Sequence, residues 1–307
     1  MDLQKNFLDF LSNKIGSTIG YNLISSTNNY VYLLKTNQGV YVLKVYTNKG
    51  VHHDIENFVR KTIGDYHFFR PLIFLDDSQE LFPFSFALFA YIEGKTLRQL
   101  IQSGEIKLYN LTDIAKQIAD FIKMISSYEM NGCGYLKPDG TSSHESWLTF
   151  LFDYQTKTVV DLLNASIDPQ YCRELYAFLV NNFSSFQAIN KFFLIPIDLN
   201  FDNFLITSDG KVVVLDAGGG ASGPMLFSLG EFVGHSYTTQ LCSDFLSNFS
   251  LTPGEKKIVH FYAMLMNMNV LAFIVRYKLS PLNEAKPWGN QTTFLDLIEQ
   301  NYQICRG

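Results

Sequence analysis

The chain has 307 residues, of which 47% are hydrophobic and 17% charged, and its formal net charge is −5. That length accommodates two lobes, and the composition is that of a packed protein and not of a disordered one. An acidic balance without any Lys/Arg-rich run argues against a nucleic-acid partner, because phosphate backbones draw basic surfaces.

Four cysteines, Cys133, Cys172, Cys242 and Cys305, stand far apart with no CxxC pair. That argues against a zinc site of the usual spacing and suits a reducing compartment. The N-terminus, MDLQKNFLDFLSNKIG, lacks the basic-then-apolar order of a signal peptide, so a cytoplasmic location is expected. The apolar run over 258–275 contains His260, Asn267 and Asn269. It reads as a buried helix of a helical lobe, with no membrane as partner.

Residues 1 to about 15 predict a short amphipathic helix with Phe7, Leu8, Phe10 and Leu11 on one side. From 19 to 46 come three β-branched and aromatic runs, IGYNLIS, NNYVYLLKT and GVYVLKVY, separated by SST and NQG. They predict three antiparallel strands. In VHHDIENFVRKTI, over 51–63, Ile55, Phe58, Val59 and Ile63 recur at helical spacing. Two more strands are expected near 70–75 and 84–92.

After Gly94 the pattern is mostly helical. LTDIAKQIADFIKMISSYE offers Thr112 as an N-cap, and 146–164 and 169–183 read as helices. Thr252 with Glu255 three residues later, and Pro253 between, predicts a capping box with proline at the first helical position. PWGNQTTFLDLIEQNY closes the chain with an amphipathic helix. Within this helical half, FLITS and KVVVLD flank Asp209-Gly210, a hairpin signal. The lobe boundary is expected near Glu93-Gly94.

The chemistry concentrates in I-D-L-N-F-D-N-F-L-I-T-S-D-G-K-V-V-V-L-D. Four residues separate Asp198 from Asn203, and twelve more separate Asn203 from Asp216. This is the order and spacing of a kinase catalytic loop followed by its metal-binding aspartate. Phosphoryl transfer needs a carboxylate beside the acceptor hydroxyl, which Asp198 can supply. It also needs oxygen ligands for Mg²⁺, a hard ion, and Asn203 and Asp216 can provide them from opposite ends of one hairpin. Any one of the three taken alone is better explained as a turn former; their joint spacing, with the five-stranded pattern upstream, points to function.

The whole chain resembles the aminoglycoside phosphotransferase and choline kinase-like family, which shares the protein-kinase fold. The motifs run from about 19 to 232. P-I-D-L-N-F-D-N followed by L-D-A is similar to the family's H-G-D-x-x-x-x-N and I-D-F or I-D-W/L. G-P-M-L-F-S-L-G-E at 223–231 is similar to G-D-P-x-x-D-L-A. Y-I-E-G-K-T-L at 91–97 is similar to a hinge-to-helix segment ending in G-x-x-L. Two positions depart from the pattern: Pro196 stands where the family has histidine, and Ser228 where it has aspartate. Neither change deletes a reacting group.

The resemblance implies an α+β, bilobal protein-kinase-like fold. Residues 1–93 would form a nucleotide-binding N-lobe with a five-stranded antiparallel sheet, and 94–307 a mainly helical catalytic and acceptor-binding C-lobe. It implies Asp198 as the catalytic residue, Asn203 and Asp216 as Mg²⁺ ligands, and Lys44 as the partner of the α- and β-phosphates. Lys44 lies in an apolar run, V-Y-V-L-K-V-Y, where an ammonium needs a partner. Glu56 is the favoured carboxylate and Asp54 its competitor. The loop with Ser26, Thr27 and Asn28 would cover the phosphates. The backbone from Ala90 to Ile92 would hold the base edge, so ATP and GTP are both open as co-substrate.

The activity so implied is transfer of a γ-phosphate to a hydroxyl of a small molecule. An aminoglycoside-type antibiotic or similar amine-bearing compound is favoured, which would make antibiotic resistance the biological role. A choline, sugar or amino-alcohol kinase and a nucleotide-binding pseudokinase are the alternatives. The implied partners are the nucleotide and the acceptor, bound by a monomer or homodimer. Glu145, Asp153, Asp202 and Glu231 weigh more as surface or capping acids than as acceptor ligands, and Trp147 more as core than as a stacking platform.

Overall fold

The structure is a computed structural model and describes residues 3–25, 29–47, 51–64, 67–164, 168–182, 186, 189–216, 220–281, 284–287 and 290–306. The chain divides into two compact units. One comprises Met1–Gly94 with Pro138–Gly140 and Val213–Gly218; the other comprises Lys95–Lys137, Thr141–Val212 and Gly219–Gly307.

The first unit runs α1 (Lys5–Ile15), β1 (Thr18–Ser25), β2 (Asn29–Thr36), β3 (Gly39–Tyr46), α2 (Val51–Ile63), β4 (Leu72–Asp76) and β5 (Phe86–Ala90). The five strands form one antiparallel sheet in the order β1-β2-β3-β5-β4. Side chains alternate across a strand, and β3 shows what that does here. Leu43 and Val45 join Phe7, Leu11 and Ile15 of α1 with Tyr32, Leu34, Phe86 and Leu88 in one cluster. Val42 and Tyr46 pack with Ala87 and Phe89 on the other face. Lys44 shares the parity of Val42 and Tyr46, so it is carried away from α1.

The second unit contributes β6 (Lys95–Thr96), α3 (Leu97–Ser103), α4 (Leu111–Ile125), β7 (Glu129–Met130), β8 (Cys133–Leu136), β9 (Ser142–His144), α5 (Trp147–Asn164) and α6 (Pro169–Asn182). It continues with β10 (Phe192–Pro196), β11 (Phe204–Ile206), β12 (Val212–Val214), through which the chain passes to the first unit, and β13 (Gly220–Gly223). It ends with α7 (Met225–Ser236), α8 (Gln240–Ser247), α9 (Pro253–Arg276) and α10 (Phe294–Arg306).

The unit is mainly helical, as the sequence predicts, but it also holds a five-stranded sheet, β7-β10-β13-β8-β9, that the periodicity does not reveal. Its strands are two to five residues long, too short to display an alternation. One of them is Gly-Ala-Ser-Gly, and glycine reads as a turn signal. The N-cap of α4 is Asn110 and not Thr112: the Asn110 side chain accepts the Thr112 N–H at 3.1 Å. A cap must precede the first-turn donors it satisfies, and Thr112 carries one of those donors. The predicted box at α9 forms in full, with Thr252 Oγ1 accepting the Glu255 N–H and the Glu255 carboxylate accepting the Thr252 N–H.

Helix α9 is long and apolar enough to cross a membrane by length and composition, yet two-thirds of its apolar window is buried inside the protein. It is the central helix of its unit. Tyr262 receives the indole N–H of buried Trp147 at 2.8 Å, and His260 meets Asn301 of α10 at 2.7 Å. Its approach to α7 depends on Gly230. A Cβ there would lie inside contact distance of Tyr262 Cβ and 3.0 Å from the Ala263 nitrogen. Gly230→Ala is therefore expected to cost about 1–3 kcal/mol through overpacking, read as a lowered urea midpoint with an unchanged m-value.

Candidate active site

In the first unit Lys44 is buried and surrounded by acids. Its Nζ donates to Glu56 Oε2 at 2.9 Å and reaches Asp216 Oδ2 at 3.2 Å. Glu56, from α2, also accepts the Tyr46 hydroxyl at 2.8 Å and faces Arg60 Nε at 3.4 Å. Between the two candidate acids, the structure pairs Lys44 with Glu56. The Tyr46 ring lies 5.1 Å from the Lys44 ammonium, so the strand's own i+2 neighbour completes the enclosure.

Electrostatics follow from this geometry. Burial by itself would raise the Glu56 carboxyl, but Lys44 and Arg60, with hydrogen bonds from Lys44 and Tyr46, outweigh it and hold the group down to about 2. Burial would likewise lower the Lys44 ammonium, and Glu56 and Asp216 reverse that and raise it. The pair is therefore fully charged across the physiological range.

Asp216 is brought to Lys44 across 172 positions of sequence. The segment leading to it is tied within the same unit: Val214 N–H donates to the Phe68 carbonyl at 2.6 Å, and Arg70 Nη2 donates to the Leu215 carbonyl at 3.1 Å. Arg60 and Arg70 both lie over the Phe89 ring, which packs their planes against the sheet. The Asp216 side chain keeps 41% exposure, so one carboxylate faces both the ammonium and solvent.

Asp198 and Asn203 belong to the second unit. Asp198 is solvent-exposed and holds a φ of 61°, the left-handed region. Asn203 Nδ2 donates to the Asp198 carbonyl at 2.8 Å and approaches its Oδ2 at 3.2 Å, while Asn200 Nδ2 donates to Asp198 Oδ1 at 2.6 Å. Asn200 also turns the loop, because its Oδ1 accepts the Asp202 N–H at 2.8 Å. Asp202, weighed above as an acceptor ligand, is bound instead by Arg98 at 2.9 Å. Phe201 and Phe204 bury beneath the loop against Phe232 of α7.

The remaining predicted positions divide. Ser26, Thr27 and Asn28 lie outside the described residues. Ala90 ends β5, and its N–H donates to the Pro71 carbonyl at 3.0 Å; the Tyr91 N–H goes to the Val40 carbonyl at 3.4 Å. Ile92 follows the strand, half-buried. Sequence reasoning missed Tyr46, Arg60, Arg70 and Asn200, and it misjudged Glu231, which is buried. Burial and the adjacent Asp198 push the Glu231 carboxyl up to about 8, opposed by a hydrogen bond from the Asp198 backbone. The available signal was an acid inside MLFSLGEFVGHS, a helix with no polar face.

The architecture recurs in solved phosphotransferases. The aminoglycoside phosphotransferase APH(4)-Ia aligns with a TM-score of 0.69 at 14% identity, over 97% of this chain and 95% of that one. The choline kinase LicA from Streptococcus pneumoniae aligns at 0.61 and 13%, over 98% and 99%. The spectinomycin phosphotransferase APH(9)-Ia, solved with ADP and spectinomycin, aligns at 0.62 and 9%, over 100% and 99%. This chain has their kinase-like fold. No protein-family model and no curated protein matches the sequence, so the likeness is one of backbone architecture.

Within that kinase-like fold, Ser228 donates its hydroxyl to the Pro196 carbonyl at 2.8 Å, so the two departing positions are bonded to each other. The oxygen donors of Asn203 and Asp216 are of the type that suits a hard divalent cation such as Mg²⁺. Breaking the Lys44 pair tests the cluster in the first unit. Glu56→Ala is expected to cost roughly 3 kcal/mol, because it strips a buried ammonium of its nearest partner. Since the carboxyl is depressed in the folded state, its contribution is full above the ordinary carboxylate range and disappears as pH falls toward 2. The difference in Tm between the wild type and Glu56→Gln should be largest at neutral pH and close on acidification.

Proposed function

We propose that this chain is a small-molecule kinase that moves the γ-phosphate of a nucleoside triphosphate to a hydroxyl. The observation that carries the reading is the buried Lys44 ammonium, held by Glu56 and shared with the half-exposed Asp216. A fully charged, preoriented cation is suited to the α- and β-phosphates, and catalysis of phosphoryl transfer is largely positioning and charge stabilisation. In this reading Asp198 accepts the proton of the acceptor hydroxyl, and Asn203 and Asp216 hold Mg²⁺, which would neutralise phosphate charge. Residues 1–93 serve the nucleotide and 94–307 the acceptor.

For the base edge, the N–H groups of Ala90 and Tyr91 are already used inside the sheet, which favours Ile92 and leaves ATP and GTP equally suitable. An amine-bearing acceptor is favoured because the Asp198 carboxyl is solvent-exposed and an acidic group of that kind can pair with an ammonium. Related folds are also known with hygromycin B and with spectinomycin bound. A choline-like or sugar acceptor satisfies the same chemistry.

Asp198→Ala is expected to lower kcat by about 10³-fold while MgATP still raises Tm in a thermal-shift titration. Chelating the divalent ion with EDTA should abolish turnover, and added Mg²⁺ should restore it. The assay is a panel of hydroxyl acceptors with γ-labelled ATP and GTP. A second reading, a nucleotide-binding pseudokinase, is motivated by Pro196 and Ser228. It predicts MgATP binding without label transfer to any acceptor, and full turnover in Asp198→Ala would remove the role given to Asp198.

A further inference from the structure

The side-chain amide of Asn200 has two ends, and the loop uses them differently. Its Oδ1 accepts the Asp202 N–H at 2.8 Å, and its Nδ2 donates to Asp198 Oδ1 at 2.6 Å. A backbone N–H can only donate, so the end facing Asp202 must be oxygen and the end facing Asp198 must be nitrogen. The Asx turn thereby fixes which way the amide lies, and the amide presents a donor to the carboxylate.

The far side of the turn is itself anchored. Asp202 is bound by Arg98 Nη1 at 2.9 Å, and the Thr96 hydroxyl lies 3.4 Å from its other carboxylate oxygen. The Arg98 N–H donates to the carbonyl of buried Phe201 at 3.2 Å. The start of α3 thus holds residues 201 and 202. The Asn203 N–H closes the loop on the Asn200 carbonyl at 3.1 Å. On Asp198, Asn203 Nδ2 takes the backbone carbonyl at 2.8 Å and approaches Oδ2 at 3.2 Å, while Oδ1 receives Asn200. Asp198 is solvent-exposed, and an exposed side chain without such partners would exchange among its staggered rotamers.

We propose that Asn200 is the positioning residue of Asp198: its amide, oriented by the Asp202 N–H that α3 secures, fixes the direction in which the Asp198 carboxylate points. The inference rests on the reading of Asp198 as the residue that meets the acceptor hydroxyl. Hydrogen bonds to an ionised carboxylate are stronger than those between neutral groups. A carboxylate held in this way needs no reorientation when the hydroxyl arrives.

The test compares Asn200→Asp with Asn200→Ala. The first keeps an oxygen for the Asp202 N–H but replaces the donor with a second negative charge; the second removes both ends. Asn200→Ala is expected to speed exchange of the Asp202 amide about tenfold, the scale of one hydrogen bond, and Asn200→Asp to leave it as in the wild type. Both should lower kcat about 100-fold, the scale of a misplaced reacting group, with KM for MgATP unchanged. The assay is hydrolysis of MgATP, water serving as acceptor. Wild-type kcat in Asn200→Asp, with the Asp202 amide still protected, would make Asn200 a turn former only and overturn the proposal.

The hold on the carboxylate is also read without turnover. Exchange of the Asn200 side-chain amide protons, followed by NMR, should quicken about tenfold in Asp198→Ala while the Asp202 amide keeps its protection. Unchanged side-chain exchange in that variant overturns the proposal, whatever the activity. Full turnover in Asp198→Ala, or none in the wild type, would sink the catalytic reading; the side-chain exchange then decides by itself whether Asn200 orients Asp198.

Discussion

An ammonium cannot remain inside a folded unit without carboxylates to neutralise it, and the first unit is organised around that requirement. Lys44 points away from α1 because strand parity sends Leu43 and Val45 there. On its own face it meets Glu56 from α2 and Asp216 from a segment 172 positions away. A short stretch, Val213–Gly218, belongs with the first unit although the residues before and after it belong to the second. Val214 and Leu215 secure the stretch through backbone bonds to Phe68 and Arg70, so the carboxylate arrives on a fixed track.

The loop from Asp198 to Asn203 is held by a different physics. Its polar atoms satisfy one another, with two asparagine amides on Asp198 and an Asx turn at Asn200. Its apolar residues, Leu199, Phe201 and Phe204, are driven inward. Aromatic burial anchors the ends, and short side chains shape the span between them. Helix α7 supplies both the ring that receives those phenylalanines and the Ser228 hydroxyl that reaches the strand end at Pro196. The close approach of α7 to α9 at Gly230 seats that helix on the core of the unit.

Much of this was legible beforehand. The five strands of the N-terminal sheet, α2, the Asp209-Gly210 hairpin and the α9 capping box each carry strong local signals: alternation, helical spacing, turn dipeptides and a cap pair. The second sheet was not legible, because two- to five-residue strands leave no periodic trace and Gly220–Gly223 imitates a turn. Asn110 replaced Thr112 as a cap by a shift of two residues, the kind of boundary that local composition leaves loose.

By itself the sequence determined the candidate chemistry: a lysine in an apolar strand, and two aspartates and an asparagine at a spacing suited to phosphoryl transfer. These depend on residue type and on order along the chain. Tertiary structure alone decided which acid neutralises Lys44, that Asp202 is claimed by Arg98, and that Glu231 lies buried under Asp198 instead of facing water. Those outcomes depend on which elements pack together, and the free energy of a charge is set by the neighbours that packing brings to it.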